Sequence, residues 1–313
     1  MAKDLALETR VVFDPGPEYG TGERIWQGIP GIERSQGGRL WAAWYSGGET
    51  EGPDNYVLVV TSSDDGKSWS EPLLVIDPPG NVRAFDPCLW HDPSGRLWLF
   101  WAQSDGWFDG RAGVWAMTCS NSDGERPTWS QPRRLCNGVV MNKPTVISTG
   151  EWLLPAAVWD LPDHKEQPFR EALASERKAN VVCSQDQGQT WQLRGGAIVP
   201  ERSHDEHMIV EKKDGTLWML VRNKPGIAES FSYDRGWTWT QGKQSQLEGP
   251  CSRFFIRRLQ SGKLLLVNHY KFTGRTHLTA SLSADDGKSW YGLLLLDERK
   301  DISYPDGVQS EDG

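Results

Sequence analysis

The phrase "SSDDGKSW" at Ser62–Trp69 returns almost unchanged as "SADDGKSW" at Ser283–Trp290. Its skeleton, Ser-x-Asp-x-Gly-x-x-Trp, also fits "SQDQGQTW" from Ser184 and "SYDRGWTW" from Ser232. A degraded fifth copy, "SNSDGERPTW", runs from Ser120 to Trp129 with two extra residues before its Trp. The glycines fall at 66, 124, 188, 236 and 287, giving spacings of 58, 64, 48 and 51 residues. A period of roughly fifty residues is the size of a propeller blade. Such units cannot bury an apolar face alone, so they must stack on their neighbours.

The phrase is turn chemistry. Asp accepts from backbone N–H groups a little further on, Gly supplies a positive φ, and Trp covers the turn with a large apolar face. Runs rich in β-branched residues flank it, "NYVLVVTSS" before one copy and "WSEPLLVI" after it. Because the same Asp recurs at every turn, its role is structural. Each unit also carries an apolar run behind a Gly turn: "GGRLWAAWYS", "SGRLWLFWAQ", "STGEWLLPAAVW", "DGTLWMLVRN" and "SGKLLLVNHY". These suit strands buried on both faces.

Five such units plus the terminal segments predict an all-β, six-bladed β-propeller, a single domain over residues 1–313. The N-terminal "ETRVVFD" is expected to pair with the C-terminal strand. The chain stops at "SEDG", a turn, so the last blade is expected to be incomplete and the natural protein to continue.

The formal net charge of −8 argues against a nucleic-acid partner. No stretch of eighteen apolar residues exists to cross a membrane as a helix. "MAKDLALETR" is too charged for a signal peptide, which gives a cytoplasmic location by default. The five cysteines (Cys88, Cys119, Cys136, Cys183, Cys251) form no CxxC pair, and read as buried thiols in a reducing compartment. Nothing calls for a metal or other cofactor. His204 and His207 flank Glu206, but their odd separation on a strand directs them to opposite faces.

Repeats of this form and spacing resemble the Asp-box propellers of the sialidase (neuraminidase) superfamily over essentially the whole chain. The likeness extends to individual positions. In "HDEHMIVEKKDGTLWMLVRN", Glu206 and Arg222 stand where that family has its activating Glu and a carboxylate-binding Arg. "GRTHLTASLSADDGKSW" places Arg275 on the strand leading into the last box, as a second substrate-binding Arg. In "ISYPDGVQ", Tyr304 matches the nucleophilic Tyr. For the proton donor the resemblance points to the loop "SGGETEGPDNYV", with Asp54 at about the family distance and Glu49 and Glu51 as rivals.

This set of residues has a chemical logic. A sialic acid carries a carboxylate on its anomeric carbon, which repels a carboxylate nucleophile; sialidases use Tyr instead. A phenol of ordinary pKa about 10 needs a neighbouring base, and arginines grip the substrate carboxylate as a fork.

The pattern departs at "WQGIPGIER", where Gly28 replaces the first of three arginines. One charge-assisted contact of roughly 1.5–3 kcal/mol is missing, and the position is expected to be an open space. Arg34, six residues on, lies about 20 Å away along an extended strand. The resemblance therefore implies a retaining exo-glycosidase for a terminal acidic sugar, with a variant carboxylate pocket. Two alternatives fit the same sequence: a non-catalytic glycan- or protein-binding propeller, and a propeller hydrolase or lyase of rhamnose–uronate linkages. The oligomeric state is not encoded in any motif.

Overall fold

The computed structural model describes residues 4–160 and 169–310. Its contacts group the chain into two compact units, Met1–Lys143 with Lys165–Ala174 and Pro144–His164 with Ser175–Gly313. Among the described residues the only long elements are strands, in five antiparallel sheets.

The first unit holds two sheets. One contains β1 (Val11–Phe13), β2 (Gln27–Arg34), β3 (Leu40–Ser46), β4 (Tyr56–Ser62) and β5 (Leu74–Ile76), in the order β1-β5-β4-β3-β2. The other contains β6 (Val82–His91), β7 (Leu97–Asp105), β8 (Gly113–Cys119) and β9 (Arg133–Cys136), in sequence order. Lys143 fastens β2 to β6, donating to the carbonyls of Ile32 (2.6 Å) and Leu89 (2.8 Å) and pairing with Glu33 at 3.1 Å.

The second unit holds three sheets, each in sequence order. They are β10 (Thr145–Val146), β11 (Trp152–Ala157), β12 (Ala179–Ser184), β13 (Gln192–Ala197); β14 (Arg202–Glu211), β15 (Leu217–Asn223), β16 (Gly226–Ser232), β17 (Lys243–Gln244); and β18 (Phe255–Arg258), β19 (Leu264–Asn268), β20 (Leu278–Ser283), β21 (Tyr291–Asp297). Two apolar cores lie between successive sheets, one around Leu153, Val181, Met219 and Val221, the other around Trp218, Leu220, Phe255 and Leu266. The second strand of each sheet, β3, β7, β11, β15 and β19, is the apolar run behind the Gly turn.

All five Asp boxes join the third and fourth strands of a four-strand meander. In four of them the hydrogen bonds repeat. Ser184 Oγ donates to Asp186 Oδ1 (2.8 Å) and accepts from Gly188 N–H (2.7 Å), while Thr190 donates its N–H to Asp186 Oδ1 (2.9 Å) and its hydroxyl to Oδ2 (2.6 Å). Gln187 and Gly188 are both left-handed, with φ of 57° and 82°, which makes Gly necessary at the second position.

The fifth copy keeps the geometry one residue earlier than the sequence alignment places it. Cys119 and Asn121 take the Ser and Asp roles, Asn121 Oδ1 accepting from Cys119 Sγ (3.3 Å) and Thr128 N–H (2.8 Å). Asp123 is thereby freed to accept from Gly37 N–H (2.8 Å) and the Ser35 hydroxyl.

Asp64, Asp186 and Asp285 are each held down to about 2 from an ordinary 3.8, first by the hydroxyl four residues on and then by that residue's N–H. A depressed carboxylate contributes stability that is complete above about pH 4 and lost as pH falls through about 2. Asp186→Ala is expected to lower the thermal midpoint by about 2–4 °C at neutral pH, the gap from wild type narrowing between pH 4 and 2, with kcat unchanged. Thermal scans across pH with parallel rate assays check this, and a large loss of rate in folded protein would contradict a structural role.

One strand pairs differently from expectation. β1 lies against β5, with Val11 opposite Ile76, and not against the C-terminal strand. Local side chains decide it: Asp77, just after β5, ion-pairs with Arg10 and accepts from Tyr19 Oη at 2.7 Å. After β21, residues 302–310 run without a strand, so the described residues form five blades where six were expected. Of the C-terminal turn expected at 310–313, all but Ser310 lies outside the described residues.

Candidate active site

In the second unit, three of the sequence-derived site residues meet. Tyr304 Oη donates to Glu206 Oε1 at 3.1 Å, although the two are 98 residues apart. Arg222 Nη1 donates to the same Glu206 oxygen (2.5 Å) and to Tyr304 Oη (3.0 Å). The Arg222 Nε–H is taken by Cys251 Sγ at 3.3 Å. Burial works to lower the Arg222 pKa, but Glu206 and then Tyr304 outweigh it, and the guanidinium is held firmly charged.

The backbone that delivers these groups is irregular where they sit. β14 slips register against β15 on both sides of Asp205, and Asp205 (φ 60°) and Glu206 (φ 43°) are left-handed. Such bulges re-aim a side chain, and left-handed non-Gly residues persist only when surroundings hold them. The Arg202–Asp205 ion pair at 2.5 Å supplies part of that hold. Tyr304 is also left-handed, at φ 63°.

Arg275 sits in the loop before β20, not on the strand as expected. Its guanidinium lies 5.3 Å from the Tyr304 ring centroid, and Nη1 reaches Ser303 Oγ at 3.4 Å. His207 is buried, bonded through Nε2 to the Asn180 carbonyl at 2.7 Å, and burial pushes it down to about 4, so it is neutral at physiological pH. His204 packs edge-on against Trp159, with centroids 4.9 Å apart. Among the described residues no group of three His, Cys, Asp or Glu side chains could hold a metal ion.

Asp54 belongs to the first unit, exposed on the loop between β3 and β4. Of its rivals, Glu49 is exposed, while Glu51 accepts from the buried Tyr45 hydroxyl at 2.6 Å. Gly28 does not leave an open space. A Cβ there would lie 2.9 Å from Trp26 Cη2, so the indole already covers the position.

Sequence reasoning missed Arg253. Arg253 is 1% exposed, donates to the Tyr304 carbonyl (3.4 Å), and pairs with Asp306 at 3.7 Å. Asp86 is buried and left-handed (φ 48°) at a register shift in β6. Asp14, Ile29, Asp86 and Tyr304 are all left-handed and all precede a proline, a ring that disfavours the right-handed helical region for its predecessor, so this feature does not single Asp86 out.

Comparison with known proteins fits this architecture. A Dyadobacter fermentans protein of unknown function superposes with a TM-score of 0.70 at 18% identity, covering 97% of this chain and 90% of that one. The Hadza microbial sialidase superposes at 0.68 with 21% identity, covering 90% of this chain and 61% of its own. These likenesses show the fold, an all-β β-propeller of the sialidase type. The model of the BNR repeat-like domain matches residues 38–313, and the chain belongs to that family. A sialidase of Paraclostridium sordellii is 27% identical over 205 residues, 57% of this chain and 48% of the relative. The chain spans about half the length of the curated relatives it matches. Among the described residues no helix is long and apolar enough to cross a membrane.

Proposed function

We propose that the chain is a sialidase-like retaining exo-glycosidase, one propeller domain over residues 1–313, acting on the terminal acidic sugar of a glycan. The observation that carries this is the three-way contact of Tyr304 Oη, Glu206 and Arg222. A phenol bonded to a buried carboxylate is a nucleophile with its base in reach.

Glu206 takes the Tyr304 proton as the phenolic oxygen attacks the anomeric carbon. The glycosidic bond breaks, and Asp54, assigned from the resemblance alone, protonates the departing oxygen. Water, deprotonated by the now carboxylate Asp54, then cleaves the sugar–Tyr304 bond, and Glu206 returns its proton to the phenol. Two displacements at one carbon retain configuration. Arg222, a fixed positive charge beside an oxygen that becomes anionic, stabilises the first step. Arg275, together with Arg222, is in this reading the grip on the substrate carboxylate.

Turnover of aryl α-glycosides, with a sialoside and a uronide set beside neutral sugars, tests the reading. Release of aryl alcohol from an acidic glycoside, with α-anomer formed first by NMR, is the expected result. No turnover of any member by folded protein would overturn it in favour of a glycan-binding propeller, the reading favoured by the filled position at Gly28.

A further inference from the structure

The missing side chain at Gly28 has a structural use. A Cβ at that position would meet Trp26 Cη2 at 2.9 Å and Cζ2 at 3.0 Å, so only Gly lets the indole lie over the backbone there. Trp26 is pinned through its backbone. Its main-chain N–H donates to the Gly48 carbonyl (3.1 Å), and its carbonyl accepts from Ser46 Oγ (2.8 Å). Its ring leans on Tyr45, with centroids 4.7 Å apart and planes at 43°. Tyr45 is itself buried and fixed by Glu51.

Trp26 nevertheless stays partly exposed, next to Ile25, which is 72% exposed. Gly48, whose carbonyl anchors Trp26, is also where Asp54 approaches. A Cβ on Gly48 would lie 3.3 Å from Asp54 Cβ and 3.6 Å from its Oδ2. The neighbouring backbone carries strain, with Ile29, a β-branched residue, left-handed at φ 55° beside the register shift of β2. A partly exposed indole whose backbone is anchored on the glycine that Asp54 approaches suits one ligand chemistry. A pyranose offers C–H groups to the ring face and hydroxyls to the acid.

We propose that Trp26, bared over Gly28, is a carbohydrate-stacking surface on which a pyranose ring lies beside Asp54, an apolar contact in place of the guanidinium that the sialidase pattern has at position 28. That the ring is also a substrate rests on the glycosidase reading. A sugar bound this way depends on an open C–H face, and less on its carboxylate than one held by three arginines.

The test measures binding and keeps it apart from turnover. Methyl α-glycosides of N-acetylneuraminic acid, glucuronic acid and galactose are titrated calorimetrically into Tyr304→Phe protein, in which turnover by the proposed nucleophile cannot occur. Affinity for whichever glycoside binds is expected to fall about two- to tenfold on adding Trp26→Ala, the scale of one aromatic contact, and to be largely kept with Trp26→Phe. Gly28→Ala, which must push the indole aside without deleting it, is expected to weaken binding too, and it covers the case in which Trp26→Ala does not fold. Equal affinity in the parent and in folded Trp26→Ala or Gly28→Ala, or no binding of any glycoside by the parent, overturns the proposal. Binding that depends on Trp26 in a protein whose wild type hydrolyses nothing would sustain the surface and overturn the glycosidase reading alone.

Discussion

Tyr304→Phe is expected to cost turnover about 10³-fold or more while leaving the fold untouched. The substitution removes one oxygen. It leaves the ring that Arg275 faces, and the 2.5 Å Arg222–Glu206 ion pair, in place. Loss of a nucleophile should lower kcat and kcat/KM together, because the interaction belongs to the transition state. Glu206→Gln makes the contrast. It removes the base, worth about 10²–10⁴-fold, and also strips the buried Arg222 of its counter-ion, a change that destabilises by about 3–5 kcal/mol. Steady-state kinetics and denaturant melts on both variants check the pair of outcomes. A Tyr304→Phe enzyme that keeps its wild-type rate would place the nucleophile elsewhere.

The repeats were legible because turn chemistry is local. Ser, Asp and Gly within five residues specify their own hydrogen bonds, and the same spacing yields the same turn between third and fourth strands. The fifth copy was read one residue late because Cys119 and Asn121 can donate and accept as Ser and Asp do, which a pattern in residue names cannot see. The pairing of β1 was not legible either. Three residues of "VVF" fit any free edge, and Asp77, which draws Arg10 and Tyr19 to β5, is distant in sequence.

Of the candidate site, Glu206, Arg222 and Tyr304 and the meeting of phenol and base could be expected from the family order, but not the bulges and left-handed residues that bring them together, which have no residue-type pattern. Gly28 was read as a loss of charge. Its neighbour two residues back turns the absence of a side chain into room for an indole. Arg253 in "CSRFF" gave no sign of burial, since its partner Asp306 lies beyond two intervening strand hairpins.

Arg253 is also where the largest structural effect is expected. Residues 302–310 have no strand ladder, so side chains must hold them. Arg275 reaches Ser303, Gln309 Oε1 accepts from Gln260 N–H (2.9 Å), and Arg253 holds both the Tyr304 carbonyl and Asp306. Only the last of these is a fully buried ion pair. Tyr304 in its left-handed conformation costs on the order of 1–3 kcal/mol and stays there only while those contacts fix it. Arg253→Met keeps the volume but leaves Asp306 buried without its counter-charge, a penalty of about 3–5 kcal/mol. A segment outside the sheets can relieve that penalty by detaching, which takes Tyr304 away from Glu206. The variant should therefore fall to the activity of Tyr304→Phe, and hydrogen exchange should speed up at 302–310 well before the sheets unfold. Adding Asp306→Leu removes the stranded charge; replacing both members of a buried pair by apolar groups is often neutral. The double variant should regain slow exchange at 302–310 and part of the rate, whereas an Arg253→Met enzyme with wild-type rate and exchange would show that the segment is held by other contacts.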